Sequence, residues 1–336
     1  MKSLRKGKML IVVLSLMLVL AACGGNKGSD SESNSSEDQG NGEEVYKLKV
    51  ATSLDTSNLM YAGYPIFKEK VEASGRVELD YVGGPEAIPA YNQGEAIQNG
   101  VIDMAFIAGA YYPELVPEVL VTLYSELSYE EELENGSIDY LSELHEKMNA
   151  KYVGRIAQGD LTTYTTKKVE TIEDFKGLKL RATPAYHPIY NALGVDVINM
   201  EGGEIYNGLE RGLIDGTGWA EYSITDIGVQ EVIKYQIQPN YYKLDTSIIM
   251  NLDSWNELPE DVQEIITNAS IEAYDEMGKV VEEAMIEERE ELEANGVEVI
   301  ELKDGEKFLE IAQEEAWKWL AERVEDIDTL KEYFTK

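Results

Sequence analysis

Twice along this chain a period-two run is followed by a run with helical spacing, stops at a glycine and starts again. That repetition leaves few architectures open. Tyr46-Lys47-Leu48-Lys49-Val50 alternates polar and apolar and reads as a first strand. Tyr61 to Ala73 carries Ile66, Phe67 and Val71 at helical spacing and ends at Ser74-Gly75, a helix-stop signal. Arg76 to Val82 alternates again and closes at Gly83-Gly84-Pro85. A helix from about Ala87 to Gln98 ends at Asn99-Gly100, and Asp103 to Ile107 reads as a buried strand. This order predicts an α/β fold with a mostly parallel sheet and helices on both faces. The theme restarts after Asp160. Strands are expected at Gly177–Arg181, Val195–Ile198 and Ser247–Leu252, and helices at Tyr186–Leu193 and Glu204–Arg211. Two βα lobes joined by several crossings imply a cleft, where open α/β sheets bind their ligands.

The last third is helical. After Pro259, Val262, Ile265, Ile266, Ala269, Ala273, Met277, Val281 and Ala284 form one apolar stripe that runs on to Asn295-Gly296. That is longer than an ordinary globular helix unless it bends near Gly278. Glu282 to Glu293, rich in glutamate, reads as a solvated face, since a metal site needs oxygens converging from several directions.

The N-terminus reads as an address. Lys2, Arg5, Lys6 and Lys8 precede an apolar run, Met9 to Leu20, too short to span a bilayer. Leu20-Ala21-Ala22-Cys23 resembles the bacterial lipobox, in which the cysteine is acylated and becomes the new N-terminus; an ordinary signal peptide with a chance cysteine is the alternative. Residues 1–22 are thus expected to be a signal peptide. Residues 23–44, beginning at the lipidated Cys23, form an acidic segment without large apolar residues, which reads as a flexible tether. The expected location is the outer face of the cell membrane, held by a lipid anchor.

Charge and composition exclude several functions. The 64 Asp and Glu against 29 Lys and Arg give a net charge of −35, which argues against a nucleic-acid partner. One Cys excludes a disulfide framework and thiolate metal sites, and two His make a His-rich metal centre or a relay chemistry improbable. His145 lies in a polar helical stretch and reads as exposed, and neither it nor His187 has a recognisable nucleophile pattern nearby.

Four segments carry a resemblance. Gly177-Leu178-Lys179-Leu180-Arg181-Ala182-Thr183-Pro184 is similar to a signature of the solute receptors of tripartite ATP-independent periplasmic (TRAP) transporters, of the C4-dicarboxylate-receptor (DctP) type. Glu204 to Gly216, Gln98 to Ala105 and Leu258 to Gln263 resemble further blocks of the same family, in order and in register. The resemblance implies a two-lobed, periplasmic-binding-protein-like (type II) fold with a strand crossing between lobes and a long helix spanning both. The expected division is 45–158 plus 247–286 for one lobe and 159–246 plus 287–336 for the other. It implies no catalysis: a solute enters the cleft, the lobes close, and a membrane permease of the TRAP type takes delivery.

Arg181 leaves a strand bracketed by apolar residues and is followed within three by Pro184, so it is held in place. A guanidinium can meet a carboxylate through two parallel N–H donors. A structural salt bridge is the plainer reading of the residue itself; the resemblance favours ligand binding. Two departures from the family pattern bear on the solute. Thr162 stands where many members have a second Arg, and Trp219 stands where many have an amide. Branches with that Trp precede it with a metal-binding Glu, whereas here Gly218 does, which disfavours a cation. No metal and no cofactor is expected. A small organic acid results, a monocarboxylate rather than a dicarboxylate, with an apolar or aromatic body on Trp219. Tyr is abundant, 21 against five Phe, and Tyr111 and Tyr242 are candidates for the cleft wall, with Gln158 and Ser53 as possible donors. An ABC-type binding lipoprotein and, less favoured, a surface carboxylate-dependent hydrolase are the alternatives.

Overall fold

The computed structural model describes residues 44–336 apart from Thr56, Ala157 and Gln158. The expected signal peptide, Cys23 and all of the tether but Glu44 therefore lie outside the described residues, as does Gln158.

Two sheets organise the chain. The first has the order β2 (Val77–Gly83), β1 (Tyr46–Thr52), β3 (Met104–Ile107), β10 (Ser247–Asn251), β4 (Ala150–Arg155). The second runs β11 (Glu298–Glu301), β9 (Tyr235–Lys243), β5 (Asp160–Thr165), β8 (Gly216–Ala220), β6 (Lys179–Ala182), β7 (Asp196–Asn199). In each sheet all strands but one run in the same direction, as the local order predicts, and the exceptions are β10 in the first and β5 in the second. β1 pairs in parallel with β2 and β3, across crossover helices Gly63–Glu72 and Ala90–Gln98. β10, however, arrives from the second sheet and so lies antiparallel to both β3 and β4. In the second sheet β5 is antiparallel to β8 and β9 for the same reason: it enters from the first. Sheet direction here follows from where the chain crosses, which periodicity does not encode. The central strands β3, β8 and β10 are buried along their length and read as near-continuous apolar or small residues, whereas the edge strand β7 has no buried position.

Helix Glu260–Ala294 is continuous through Gly278, 35 residues or roughly 50 Å at the usual rise. Its buried positions Val262, Ile266, Ala269, Ala273, Met277 and Val281 follow the i, i+3/i+4 spacing of one face. The N-terminal part packs on helix Gly63–Glu72 and β4, over Leu48, Val50, Phe67 and Val71. The glutamate-rich part is largely solvated, with one exception. Glu288 is buried and accepts from the Thr225 N–H (3.0 Å) and hydroxyl (2.7 Å), tying the helix to the turn after β8.

His145 is a correction to the sequence reading: it is fully buried. Helix Ser137–His145 turns its last residue inward, where Nδ1 meets the Leu141 carbonyl at 2.6 Å and Nε2 the Tyr112 hydroxyl at 3.1 Å. Burial lowers its pKa to about 4. Among the described residues no helix is long and apolar enough to cross a membrane.

Candidate functional site

β6 carries Arg181 between β7 and β8, with Ile198 and Thr217 as register partners, into the interior, where it is 1% exposed. Nε donates to the Met200 carbonyl (2.8 Å) and Nη1 to the Gly218 carbonyl (3.3 Å), and the guanidinium carbon lies 5.3 Å from the Trp219 ring centre. Two carbonyls and a π-face hold the group in one orientation without neutralising it. Among the described residues no carboxylate forms an ion pair with Arg181, and Nη2 is buried with no hydrogen-bond partner. A buried donor left unmade costs about 1–3 kcal/mol, more when charged, and an anion would complete this edge.

Arg181 lines a cavity of about 510 Å³, counting the part open to solvent, with Trp219, Tyr111 and Tyr186 as its aromatic walls. Leu54, Met60, Ala110, Leu161 and Leu244 make much of the remainder apolar. A wider space of about 1130 Å³ shares Leu54, Tyr111 and Trp219 with it and opens past Ser53, Asn58, Glu201 and Asp226. The two spaces are drawn from segments that follow strands of both sheets. At the wall of the wider one, Asp226 Oδ2 accepts from the Leu59 N–H at 2.6 Å.

Trp219, on β8, is 6% exposed and its indole N–H donates to Ser223 Oγ (3.3 Å). Two glycines make room for the aromatic walls, Gly202 for Trp219 and Gly218 for Tyr186. A Cβ on Gly202 would lie 2.9 Å from the indole, and one on Gly218 would fall 2.4–2.7 Å from the Tyr186 ring. A Glu at position 218 would therefore require Tyr186 to move. Among the described residues, no group of three or more His, Cys, Asp or Glu is arranged to hold a metal.

The sequence-derived residues scatter over this geometry. Arg181, Trp219 and Tyr111 come together on the inner cavity, and Ser53 lies on the wider one. Thr162 is elsewhere: its hydroxyl donates to the Ile237 carbonyl at 2.8 Å, and its neighbour Leu161 reaches the cavity instead. A register shift in the β5–β9 pairing between Leu161 and Thr163 re-aims the side chains there. Tyr242 turns away as well, packing on Tyr124 (4.7 Å between ring centres) and donating to the Ala312 carbonyl at 2.9 Å.

Several cavity residues have no place in the sequence reading. Thr183 and Thr246 line the inner cavity, and both hydroxyls are buried without a partner. Thr183 stands two residues beyond Arg181, so strand alternation could have found it; nothing local marks Thr246. Asp245 also lines the cavity and is fully buried, accepting from Ser247 Oγ (2.9 Å) and lying 3.8 Å from Arg155 Nε. Arg155 pairs in turn with buried Glu132 at 2.6 Å. Burial raises the pKa of both carboxyls, while Arg155 holds them down in part. Tyr91 meets Tyr111 edge-on (5.0 Å, 84°) and its buried hydroxyl has no partner; burial raises that group to about 12 against the pull of the Arg181 charge.

Two mixed α/β lobes with a buried guanidinium between aromatic walls match the architecture of two-lobed solute-binding proteins. Residues 50–323 match the model of the DctP family, bacterial extracellular solute-binding protein family 7. The chain belongs to that family, which makes it a solute receptor and not an enzyme. A monocarboxylate 2-oxoacid-binding periplasmic protein of Nostoc sp. is 23% identical over 239 residues, 68% of this chain and 66% of its own length, so the match spans just under two thirds of that relative. An extracytoplasmic solute receptor of Bordetella pertussis that binds pyroglutamic acid superposes with a TM-score of 0.77 at 17% identity, covering 86% of this chain and 99% of that one. A TRAP solute-binding protein of Desulfovibrio salexigens with bound orotic acid gives 0.78 at 20% identity, covering 86% and 98%.

Proposed function

We propose that this chain is the extracytoplasmic receptor of a TRAP transporter for a monocarboxylic organic acid. Arg181 takes the carboxylate in the cleft between lobes 45–158 plus 247–286 and 159–246 plus 287–336, and the closed form passes the acid to membrane permease subunits. Cys23 carries the lipid that anchors the receptor at the outer face of the membrane. The observation that carries the reading is the free, buried Nη2 edge of Arg181 on an apolar cavity. An anionic guest completes that group with a charge-assisted bond in a desolvated setting. Neither cavity wall includes a second Arg or a Lys, which suits one carboxylate better than two. The apolar lining and Trp219 suit a hydrophobic or ring-shaped body. Pyroglutamic and orotic acids, bound by the two structural relatives, each carry one carboxyl group on a ring, and the Nostoc relative binds monocarboxylates.

A thermal-shift screen of organic acids on the purified body tests this. An acid at about a hundred times its Kd stabilises by about 2.7 kcal/mol, a rise in Tm of about 5 °C for a chain of this size. A few mono-acids are expected to do so, and Arg181→Ala is expected to abolish the shift while the unliganded protein still melts cooperatively. A screen without a single stabilising acid, or an unchanged response in Arg181→Ala, overturns the reading.

A further inference from the structure

Among the described residues, three that line the inner cavity carry a buried polar atom without a partner: Arg181 Nη2, Thr183 Oγ1 and Thr246 Oγ1, on residues 1%, 5% and 2% exposed. They come from two separate segments of the chain. Arg181 and Thr183 stand two apart on extended backbone (Thr183 φ −94°, ψ 169°), so their side chains leave the same face. Thr246 comes from a different part of the fold, the three-residue connection 244–246 by which the chain passes from β9 of the second sheet to β10 of the first. Its carbonyl accepts from the Ile156 N–H (2.8 Å), and Asp245 and Ser247 on either side are bonded to each other, so the hydroxyl is held where it is. Leu54, Leu161 and Leu244 belong to the same cavity.

We propose that the solute is bipolar: a carboxylate held by Arg181 together with Thr183, and a second group, a carbonyl or hydroxyl, held by Thr246, with an apolar stretch between. Thr246 is then the residue that separates oxygenated acids from plain alkanoates and cycloalkanoates. A site that presents a buried hydroxyl to the ligand disfavours an analogue that leaves it unpaired. The proposal rests on the reading of Arg181 as the acid site.

Titration calorimetry on matched pairs tests it. The probes are mono-acids bearing one oxo or hydroxyl group at carbon 2, 3, 4 or 5, or a lactam ring, each beside its parent lacking that group. The tightest oxygenated acid is expected to bind at least tenfold better than its parent. Thr246→Val should remove that advantage and change the affinity of the parent less than twofold, and Thr246→Ser should retain the advantage. Thr183→Val should weaken both members by a similar factor. Loss of binding by both in Arg181→Ala, with no selective effect of Thr246→Val, overturns this inference and leaves the acid site standing. Undiminished binding in Arg181→Ala, or no binding by any probe, overturns both. Should Thr246→Val fail to melt cooperatively, Thr246→Ala against Thr246→Ser gives the same comparison.

Discussion

Single residues in this protein are set by what surrounds them more than by their type. His145 illustrates the point: a polar helix suggests exposure, yet the ring ends between a backbone carbonyl and the Tyr112 hydroxyl and keeps its neutral form. With a folded pKa of about 4 against 6.5 in the unfolded chain, the unfolded state takes up the proton first as pH falls. Its contribution is fully present above pH 6.5 and lost on the way down to pH 4, about 3 kcal/mol in all. Buried Glu132, Asp245 and Glu288, whose pKa values are raised, act in the opposite direction over the acid range. The prediction is therefore a difference: chemical denaturation at pH 7 and pH 4 should show the wild type losing about 3 kcal/mol more than His145→Gln over that interval. Equal losses would refute a neutral His145. Arg181 is the converse case, since its strand, its flanks and its character were all legible in the sequence. That no carboxylate among the described residues pairs with it became visible only with the fold.

At the level of elements, the segment after β8 links three parts of the molecule. Trp219 donates to Ser223, Thr225 is bonded to Glu288 on the long helix, and Asp226 accepts from the Leu59 N–H that follows β1. The last bond joins residues 167 apart in sequence, at the wall of the wider cavity that Asp226 lines. A charge-assisted bond of this kind contributes about 1.5–3 kcal/mol, so removing it from the lobes-together state should weaken an acid ligand about tenfold or more. Calorimetry on Asp226→Ala should show that loss, and Asp226→Asn, which keeps an acceptor, a smaller one. Affinity unchanged in Asp226→Ala would mean that the bond plays no part in closure. Boundaries of these elements were mostly readable from local pattern: the strand from Tyr46, the stop at Ser74-Gly75 and the long helix after Pro259 all stand within a few residues of expectation. The direction of β5 and β10 was not, because it depends on crossings between sheets.

On the scale of the whole molecule, an acidic body is combined with an N-terminus that reads as an anchor. If Cys23 carries the lipid, Cys23→Ser should move the protein from the membrane fraction to the soluble one and abolish incorporation of a labelled fatty acid. Retention of the variant in the membrane fraction would refute the assignment. On an anchored receptor the net charge of −35 would hold the body off anionic headgroups. In the proposed reading it does not select the solute, since that role falls to the one buried cation, Arg181.

The sequence by itself determined the order of strands and helices, the membership in a solute-receptor family and the place of Arg181 at the end of a strand. All of these reside in short-range spacing: period two, period 3.6, and residues such as Arg181 and Pro184 a few positions apart. Tertiary structure alone decided that Thr246 joins Arg181 and Thr183 on one cavity, that Thr162 and Tyr242 turn elsewhere, and that the Tyr186 ring reserves position 218 for glycine. Whether a polar atom is satisfied or left for a ligand depends on neighbours brought from distant parts of the chain, and local spacing carries no record of them.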